Sequence, residues 1–507
     1  MDSLARWACS CGGSRPASGA TAVQIVRKRG RRVLGIEHIG SAHTDDELAV
    51  LLRIADERRH AGQLALDLDD AGEAAAGKAA VVEGTSSLIL WEALAGIYAD
   101  LGLDRLGDDA FRALVLARVI EPASKLDTVR VLTDLGVASP HRVTFMRCLK
   151  RVAERDYRAV ISRACYARAT RTGTLAVVLY DVTTLHFEVE REDKLRKVGM
   201  SKEHRVDPQV TVGLLTTAGG FPLEIDLFEG NKAETKTLIP VLTRFRDRYQ
   251  ARDIVVVADA GMLSAANLLA LEENGFQFIV GSRTSKVPYD LQAHVERHGN
   301  YLADGATIET TRHMGTGKKA RDRRVVYQYA FKRAQHDNRA INAMVERAEK
   351  VAAGERPLKK DRFVTFTDNT TSVDWNLVER ARALAGIKGY VTNIDPAVMD
   401  GPVVVAAYHD LYQVERSFRM TKSDLAARPV FHRLEDSIQA HLTVVFAALA
   451  VSREAQARTG ASINKILKAL RPLRSATITI GNQQVTAQPR IPTETQTLLN
   501  DLGWSGH

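Results

Sequence analysis

Three acidic residues stand where they could do chemistry. Asp181 closes the apolar run Leu175-Ala176-Val177-Val178-Leu179-Tyr180, and Asp259 closes a second run, Ile254-Val255-Val256-Val257-Ala258. A strand that is apolar along its length reads as buried on both faces. A carboxylate at its end is costly unless something offsets the charge. Asp259 lies 78 residues after Asp181, and Glu415 follows 156 residues later in a helical stretch. If the two strands are neighbours, both aspartates project from one edge. A third carboxylate from a helix across that edge then completes a set of hard oxygen donors suited to Mg²⁺, with Mn²⁺ as the alternative. Such a set holds two ions about 3.5–4 Å apart and drives in-line displacement at phosphorus. Taken singly, each acid reads more readily as a loop-start cap or a surface charge. Glu188 and Asp226 are substitutes if the strand register differs.

The helix around Glu415 adds to the pattern. Tyr408, Leu411, Glu415 and Lys422 are spaced by 3, 4 and 7 and share one helical face, with Phe418 and Arg419 at i+3 and i+4 from the acid. Lysine and arginine beside a carboxylate favour its ionised form and could grip phosphates. A surface helix laced with ion pairs has the same spacing.

These residues need elements to place them. The core reads as a mixed five-stranded sheet: strands over 175–181, 209–217, 221–229, 253–259 and 276–280, with helices over 234–249 and 264–274. Before it, residues 86–171 are helical throughout, a bundle of four or five helices broken at Pro122 and Pro140. Residues 1–70 open with about 20 loose residues. A hairpin with a basic tip (Lys28, Arg29, Arg31) follows, then a helix that starts at the capping-box pattern Thr44-Asp45-Asp46-Glu47. Ala71–Ala80 reads as a linker. The first part of the core spans 172–284, an inserted α+β module spans 285–400, and the second part of the core, carrying Glu415, spans 401–455. Two long helices are expected there, 402–422 and 434–455, before a tail over 456–507.

Composition agrees with a globular protein of several domains. The chain has 507 residues, 45% hydrophobic and 26% charged, with 70 Lys+Arg against 61 Asp+Glu. The net charge of +9 favours a polyanionic partner. Four cysteines (Cys9, Cys11, Cys148, Cys165) in so long a chain exclude a disulfide scaffold, and no CxxC pair suggests zinc. No apolar run approaches the roughly 20 residues of a membrane span, and the first residues lack a secretory h-region, so a cytoplasmic protein is expected.

With these residues in view, the sequence resembles a DDE insertion-sequence transposase with an RNase H-like core. More narrowly, it resembles the group whose third acid sits in Tyr-x2-Arg-x3-Glu-x6-Lys. Tyr408, Glu415 and Lys422 match, and Leu411 replaces the arginine. Other stretches similar to the subgroup with a long helical N-terminal region are Ala117–Lys125, Tyr180–Glu188, Gly199–Lys202, Phe228–Asn231, Asp259–Met262 and Arg428–His432. The resemblance runs from about residue 20 to 455. It implies Asp181, Asp259 and Glu415 as catalytic and metal-binding residues, with two Mg²⁺ (or Mn²⁺) ions. It also implies a homodimer on terminal inverted repeats and target DNA, in the nucleoid of a bacterium or archaeon. Alternatives are an inactive or domesticated copy that only binds DNA, and an RNase H-like nuclease without strand transfer.

Further DNA contacts are expected from Lys28, Arg29 and Arg31 at the hairpin tip, from the helical region 86–171 at the element's ends, from Tyr408, Arg419 and Lys422, and from the basic segment holding Lys318, Lys319, Arg321, Arg323 and Arg324. That segment reads either as a strand pair gripping phosphates or as a solvated hairpin with buried aromatics. Trp375 reads as a core anchor. Gly315-Thr316-Gly317-Lys318-Lys319 lacks the spacing of a phosphate loop, and Ser462-Ile463-Asn464-Lys465 lacks the companion motifs of a β-lactamase. His186 and His204 read as structural.

Overall fold

In the larger part of the chain, helices precede a sheet that is wider than the sequence suggests. The computed structural model describes residues 6–11, 21–29, 32–59, 80–171, 173, 175–187, 192–199, 207–233, 236–251, 254–262, 264–282, 297, 302–317, 320–357, 361–367, 370–428, 430, 432, 434–480 and 483–506. Contacts divide the chain into two units, Met1–Thr85 with Pro472–Ile491, and Ser86–Arg471 with Pro492–His507.

The larger unit opens with five helices: α1 (Leu88–Asp100), α2 (Asp109–Ile120), α3 (Lys125–Asp134), α4 (Arg142–Glu154) and α5 (Tyr157–Ala169). Pro122 and Pro140 fall in two of the connections, where a missing N–H does no harm. Asp108, Ser124 and Asp156 cap α2, α3 and α5 by accepting a backbone N–H three residues on. Asp108 also accepts from Arg151 and the Tyr157 hydroxyl, which ties α2 to α4 and α5.

The core then runs β1 (Val177–His186), β2 (Gln209–Thr217), β3 (Pro222–Glu229), α6 (Leu238–Tyr249), β4 (Val255–Ala258), α7 (Ala265–Glu273) and β5 (Gln277–Ser282). β1, β2 and β3 pair antiparallel, while β4 joins β1 and β5 joins β4 in parallel. The order β3-β2-β1-β4-β5 is that of an RNase H-like sheet. It does not stop at five strands.

Next come β6 (Thr307–Met314), β7 (Arg321–Tyr329), α8 (Phe331–Ala352), β8 (Val364–Thr367), β9 (Thr370–Val373), α9 (Trp375–Ala383) and β10 (Ile387–Thr392). β10 pairs with β5, β7 with β10 and β6 with β7, giving eight strands in the order β6-β7-β10-β5-β4-β1-β2-β3. The expected five-stranded sheet is thus corrected to eight. β5 would otherwise present an unpaired edge, and β10 takes up its hydrogen bonds. The rest of the 285–400 stretch keeps a small core of its own around Ile341, Val345, Phe363 and Val378. Trp375, expected as an anchor there, is 53% exposed at the start of α9.

α10 (Gly401–His409) and α11 (Tyr412–Ser423) replace the single helix expected over 402–422. Asp410 and Leu411 keep helical dihedrals, but bonds from Leu411 N–H to Tyr408 O and from Gln413 N–H to Asp410 O tighten the chain into a 3₁₀-type turn. α12 (Glu435–Thr459) is buried nearly all round from Ile438 to Ala455, as an apolar helix must be, and packs on α1, α2, α4, α5, α11 and β3. It joins the helical region to the sheet. Its Glu454 is buried and accepts from Arg168 of α5 at 2.6 Å and from Arg458 at 3.0 Å. α13 (Ile463–Leu470) and α14 (Thr493–Leu502) complete the unit.

The smaller unit holds antiparallel strands Arg6–Cys11, Thr21–Arg29 and Arg32–Ala42, followed by the helix Asp45–Arg59. Thr44 and Glu47 form the capping box, with Glu47 N–H donating to Thr44 Oγ1 at 3.2 Å and Thr44 N–H to Glu47 Oε2 at 3.3 Å. Two expectations are corrected. The first 20 residues include a paired strand, Arg6–Cys11. The tail over 456–507 is shared between units, because Ser475–Ile480 and Gln483–Ala487 form a sheet with Ala80–Ser86. Pairing across almost 400 residues leaves no local signal. The linker lies outside the described residues except Ala80. Cys148 and Cys165 are buried free thiols, and burial pushes Cys148 up to about 12. Among the described residues no helix is long and apolar enough to cross a membrane.

Candidate active site

The register of the sheet sets the two aspartates. Parallel pairing of β1 with β4 matches Val177 to Val255 and Tyr180 to Ala258. Asp181 follows Tyr180 within β1, and Asp259 follows Ala258 just past the end of β4. Val178, Tyr180, Val182, Val256 and Ala258 pack in the core beneath α6 and α7. By alternation, Asp181 faces the other side of the sheet. On that side α10 packs on β4 and β5, and α11 on β1 and β2. Asp181 does not end its strand, as the apolar run suggests. β1 runs on to His186 because β2 keeps pairing as far as Gln209. Asp259 does follow its strand directly, and is exposed.

Tyr408, buried on α10, donates its hydroxyl to Asp259 Oδ1 at 3.0 Å. Gly281 on β5 makes this reach possible: a Cβ there would stand 2.4 Å from the Tyr408 hydroxyl. The Tyr408 ring meets Tyr390 of β10 at 4.8 Å between centroids, and the Lys388 ammonium lies 4.3 Å from its ring centre. Burial and Asp259 hold the Tyr408 phenol well above its ordinary range, so it keeps the proton it donates. Burial and Arg333 lower Lys388, while Asp259 and Glu415 both pull it up. His409 is lowered by burial, Lys388 and Arg333.

Glu415 sits exposed in the first turn of α11. Because Lys388 and Tyr408 each interact with both Asp259 and Glu415, the two acids share one electrostatic neighbourhood. α11 is fastened to the sheet at the β2–β3 turn: Ser417 Oγ donates to Gly220 O at 2.8 Å, and buried Arg453 donates to Gly219 O, Gly220 O and Gln413 O. Gly220, at φ +77°, leaves no room for a Cβ beside that guanidinium. By type the three carboxylates fit Mg²⁺ or Mn²⁺. Among the described residues, however, no three His, Cys, Asp or Glu side chains stand close enough together to hold an ion.

The basic residues divide. Arg419 is exposed, Lys422 is half-buried in the last turn of α11, and Arg321 is exposed at the start of β7. Arg323 and Arg324, expected on phosphates, are used within the chain. Arg323 is buried and bidentate to Glu272 at 2.7 and 2.8 Å. Arg324 binds Glu309 and the carbonyls of Ile394 and Met399. Alternation along β7 aims Arg323 inward, which a count of charges cannot show. Lys318, Lys319 and Arg31 lie outside the described residues, as do Glu188, His204 and the side chains of Lys28 and Arg29. Asp226 is paired with Arg244 of α6 and belongs to the far face. His186 ends β1 opposite Gln209.

Sequence reasoning missed Lys388, Gly281 and Arg453. A glycine inside an apolar strand is a signal of close approach, and Gly281 carried it.

A family model described as the transposase DDE domain matches residues 172–451. The chain belongs to this family. The match begins just before β1 and ends within α12, so the DDE domain takes in the whole eight-stranded sheet and the helices carrying Tyr408 and Glu415. A solved structure similar to the chain is that of the piggyBac transposase synaptic complex with hairpin DNA, determined by cryo-EM. It shares 11% identity with a TM-score of 0.40, over 76% of this chain and 79% of that one. No curated protein matches the chain.

Proposed function

We propose that this DDE transposase cuts DNA at the ends of an insertion sequence and joins the freed ends to target DNA. Asp181, Asp259 and Glu415 would be its metal ligands. The observation that supports this reading is the bond from Tyr408 to Asp259, which lies one residue past the register pairing β1 with β4, as Asp181 does on β1. Two Mg²⁺ or Mn²⁺ ions held there would activate a nucleophile and offset charge on the leaving oxygen.

The chain's own residues do the rest. β1, paired on both sides, holds Asp181 rigidly, and Tyr408 orients Asp259 through its hydroxyl. Arg419, Lys422 and Arg321 contact backbone phosphates and position the scissile bond. Lys388 supplies a cation that buried Leu411 does not. In the first reaction water attacks phosphorus and the bond to the 3′ oxygen breaks. In the second the new 3′-hydroxyl attacks a target phosphodiester, exchanging one P–O bond for another. A dimer holding two ends in one complex fits this chemistry, in the cytoplasm of a bacterium or archaeon.

The test is a duplex carrying the element's end, incubated with supercoiled plasmid and Mg²⁺. Joined product is expected. Nicking without joining would assign a nuclease, and binding without nicking a regulator. For Lys388, replacement by methionine should slow single-turnover cleavage about tenfold, the equivalent of ~1.4 kcal/mol, while arginine retains most of the rate. Equal rates for both variants and wild type would reduce Lys388 to packing.

A further inference from the structure

We infer that a cavity between the helical region and the chain leaving α11 is a binding site for a phosphate group. It lies apart from the three acids and has a volume of about 350 Å³, within the range of small-molecule sites. Residues that play no part at the acids meet here: some from 117–125, at the end of α2 and start of α3, and Arg428 and His432, between α11 and α12. Arg118, Lys125, Arg428 and His432 line the wall, and His441 joins them from α12. Among the described residues no carboxylate lines the cavity, and Leu114 and Val444 make an apolar side.

The site is built rather than incidental. Arg118 Nη1 donates to the carbonyls of Leu425 and Ala426, both at 3.1 Å. Ala426 sits at φ +41°, a left-handed conformation that is unfavourable for a residue with a Cβ. His441 Nε2 lies 3.2 Å from Ala427 O, and its ring lies 5.2 Å from that of His432. Two basic side chains thus hold a strained turn at the cavity wall. Burial lowers Lys125, and the guanidinium groups of Arg118 and Arg142 lower it further. Burial with Lys125 and Arg118 pushes His432 down to about 4, so this imidazole is neutral near pH 7. Burial lowers both Arg118 and Lys125, and a bound anion would offset the cost of holding those two charges in a partly desolvated space.

Position suggests where the phosphate comes from. Glu415 lies in the first turn of α11, and the helix ends eight residues later at Ser423, next to the cavity. That is about 12 Å of helix, or three to four base steps at ~3.4 Å each. A DNA strand laid along α11 would meet the acids at one end and the cavity at the other. This source of the phosphate, though not the site itself, rests on the function proposed above.

The test uses full-length protein in EDTA, so that no chemistry intervenes. In one arm, binding of a fluorescent 30-base-pair duplex is measured over a range of KCl. Lys125→Gln should weaken binding and reduce the slope of log Kd against log[KCl] by about one, the signature of one lost phosphate contact. Arg428→Gln serves as a second variant. In the other arm, inorganic phosphate replaces chloride at equal ionic strength. It should raise the Tm of the wild type and not of Lys125→Gln. A change in the first arm assigns the site to DNA phosphate, and a change in the second alone assigns it to a small free phosphate. If both variants match wild type in both arms, the cavity is not a phosphate site. Failure of the wild type to bind DNA at all would count against the transposase, and the second arm would still decide the cavity.

Discussion

Replacing Asp181 or Asp259 by asparagine, or Glu415 by glutamine, should lower the rate of strand cleavage by about 10³-fold or more, the equivalent of ~4 kcal/mol in the barrier. The amide keeps the shape of each side chain and removes the charge a metal requires. Affinity for a duplex should stay within about threefold, because phosphate contacts depend on the basic residues. A second readout separates chemistry from folding. In the function proposed here the two carboxylates meet at one metal site, so removing one charge from the metal-free protein relieves repulsion. Thermal stability of the two asparagine variants should therefore match or exceed the wild type, as when a residue serves activity at the expense of stability. A variant that cleaves at the wild-type rate removes its residue from the metal site. One that loses both stability and cleavage shows only that the position is structural.

Gly281→Ala should cost both stability and activity, though nothing about glycine is chemical. The added Cβ would stand 2.4 Å from the Tyr408 hydroxyl and 3.0 Å from the ring carbon that bears it. Tyr408 is buried between α10 and the sheet, with Tyr390 against its ring, and cannot simply swing out. Overpacking of this kind costs about 1–3 kcal/mol. Any shift that relieves it moves the hydroxyl away from Asp259. Cleavage should fall about tenfold to a hundredfold, in line with the loss of groups that orient metal ligands. Adding Tyr408→Phe removes the atom that clashes, so the double variant should recover most of the lost stability and none of the lost rate. Coupling of that sign, read from denaturant unfolding of the two single variants and the double, ties the glycine to the tyrosine. Additive effects on stability would mean that the two residues do not meet.

Much of this protein is legible in the order of its residues. The apolar runs ending at Asp181 and Asp259, the five helices with prolines between them, and the capping box at Thr44 are local patterns. Each follows from periodicity, a missing N–H or a side chain that reaches its own backbone. The spacing of Tyr408, Glu415 and Lys422 marks the helical segment that meets the acids, although it cannot show the 3₁₀ turn at Asp410–Leu411.

The sequence by itself determined which segments become strands and helices and which acids could meet, because dihedral preference and apolar period are written within a few residues. Only the tertiary structure decided which strands are neighbours. β10 reaches β5 across more than a hundred residues, and the hairpin 475–487 reaches the strand at 80–86 across almost four hundred. The backbone hydrogen bonds that make such pairs are alike for every residue type, so they leave little trace in composition. Side-chain direction follows from those pairings. It turned Arg323 inward to Glu272, brought Lys388 over Tyr408, and made Gly281 the gap through which a tyrosine reaches an aspartate.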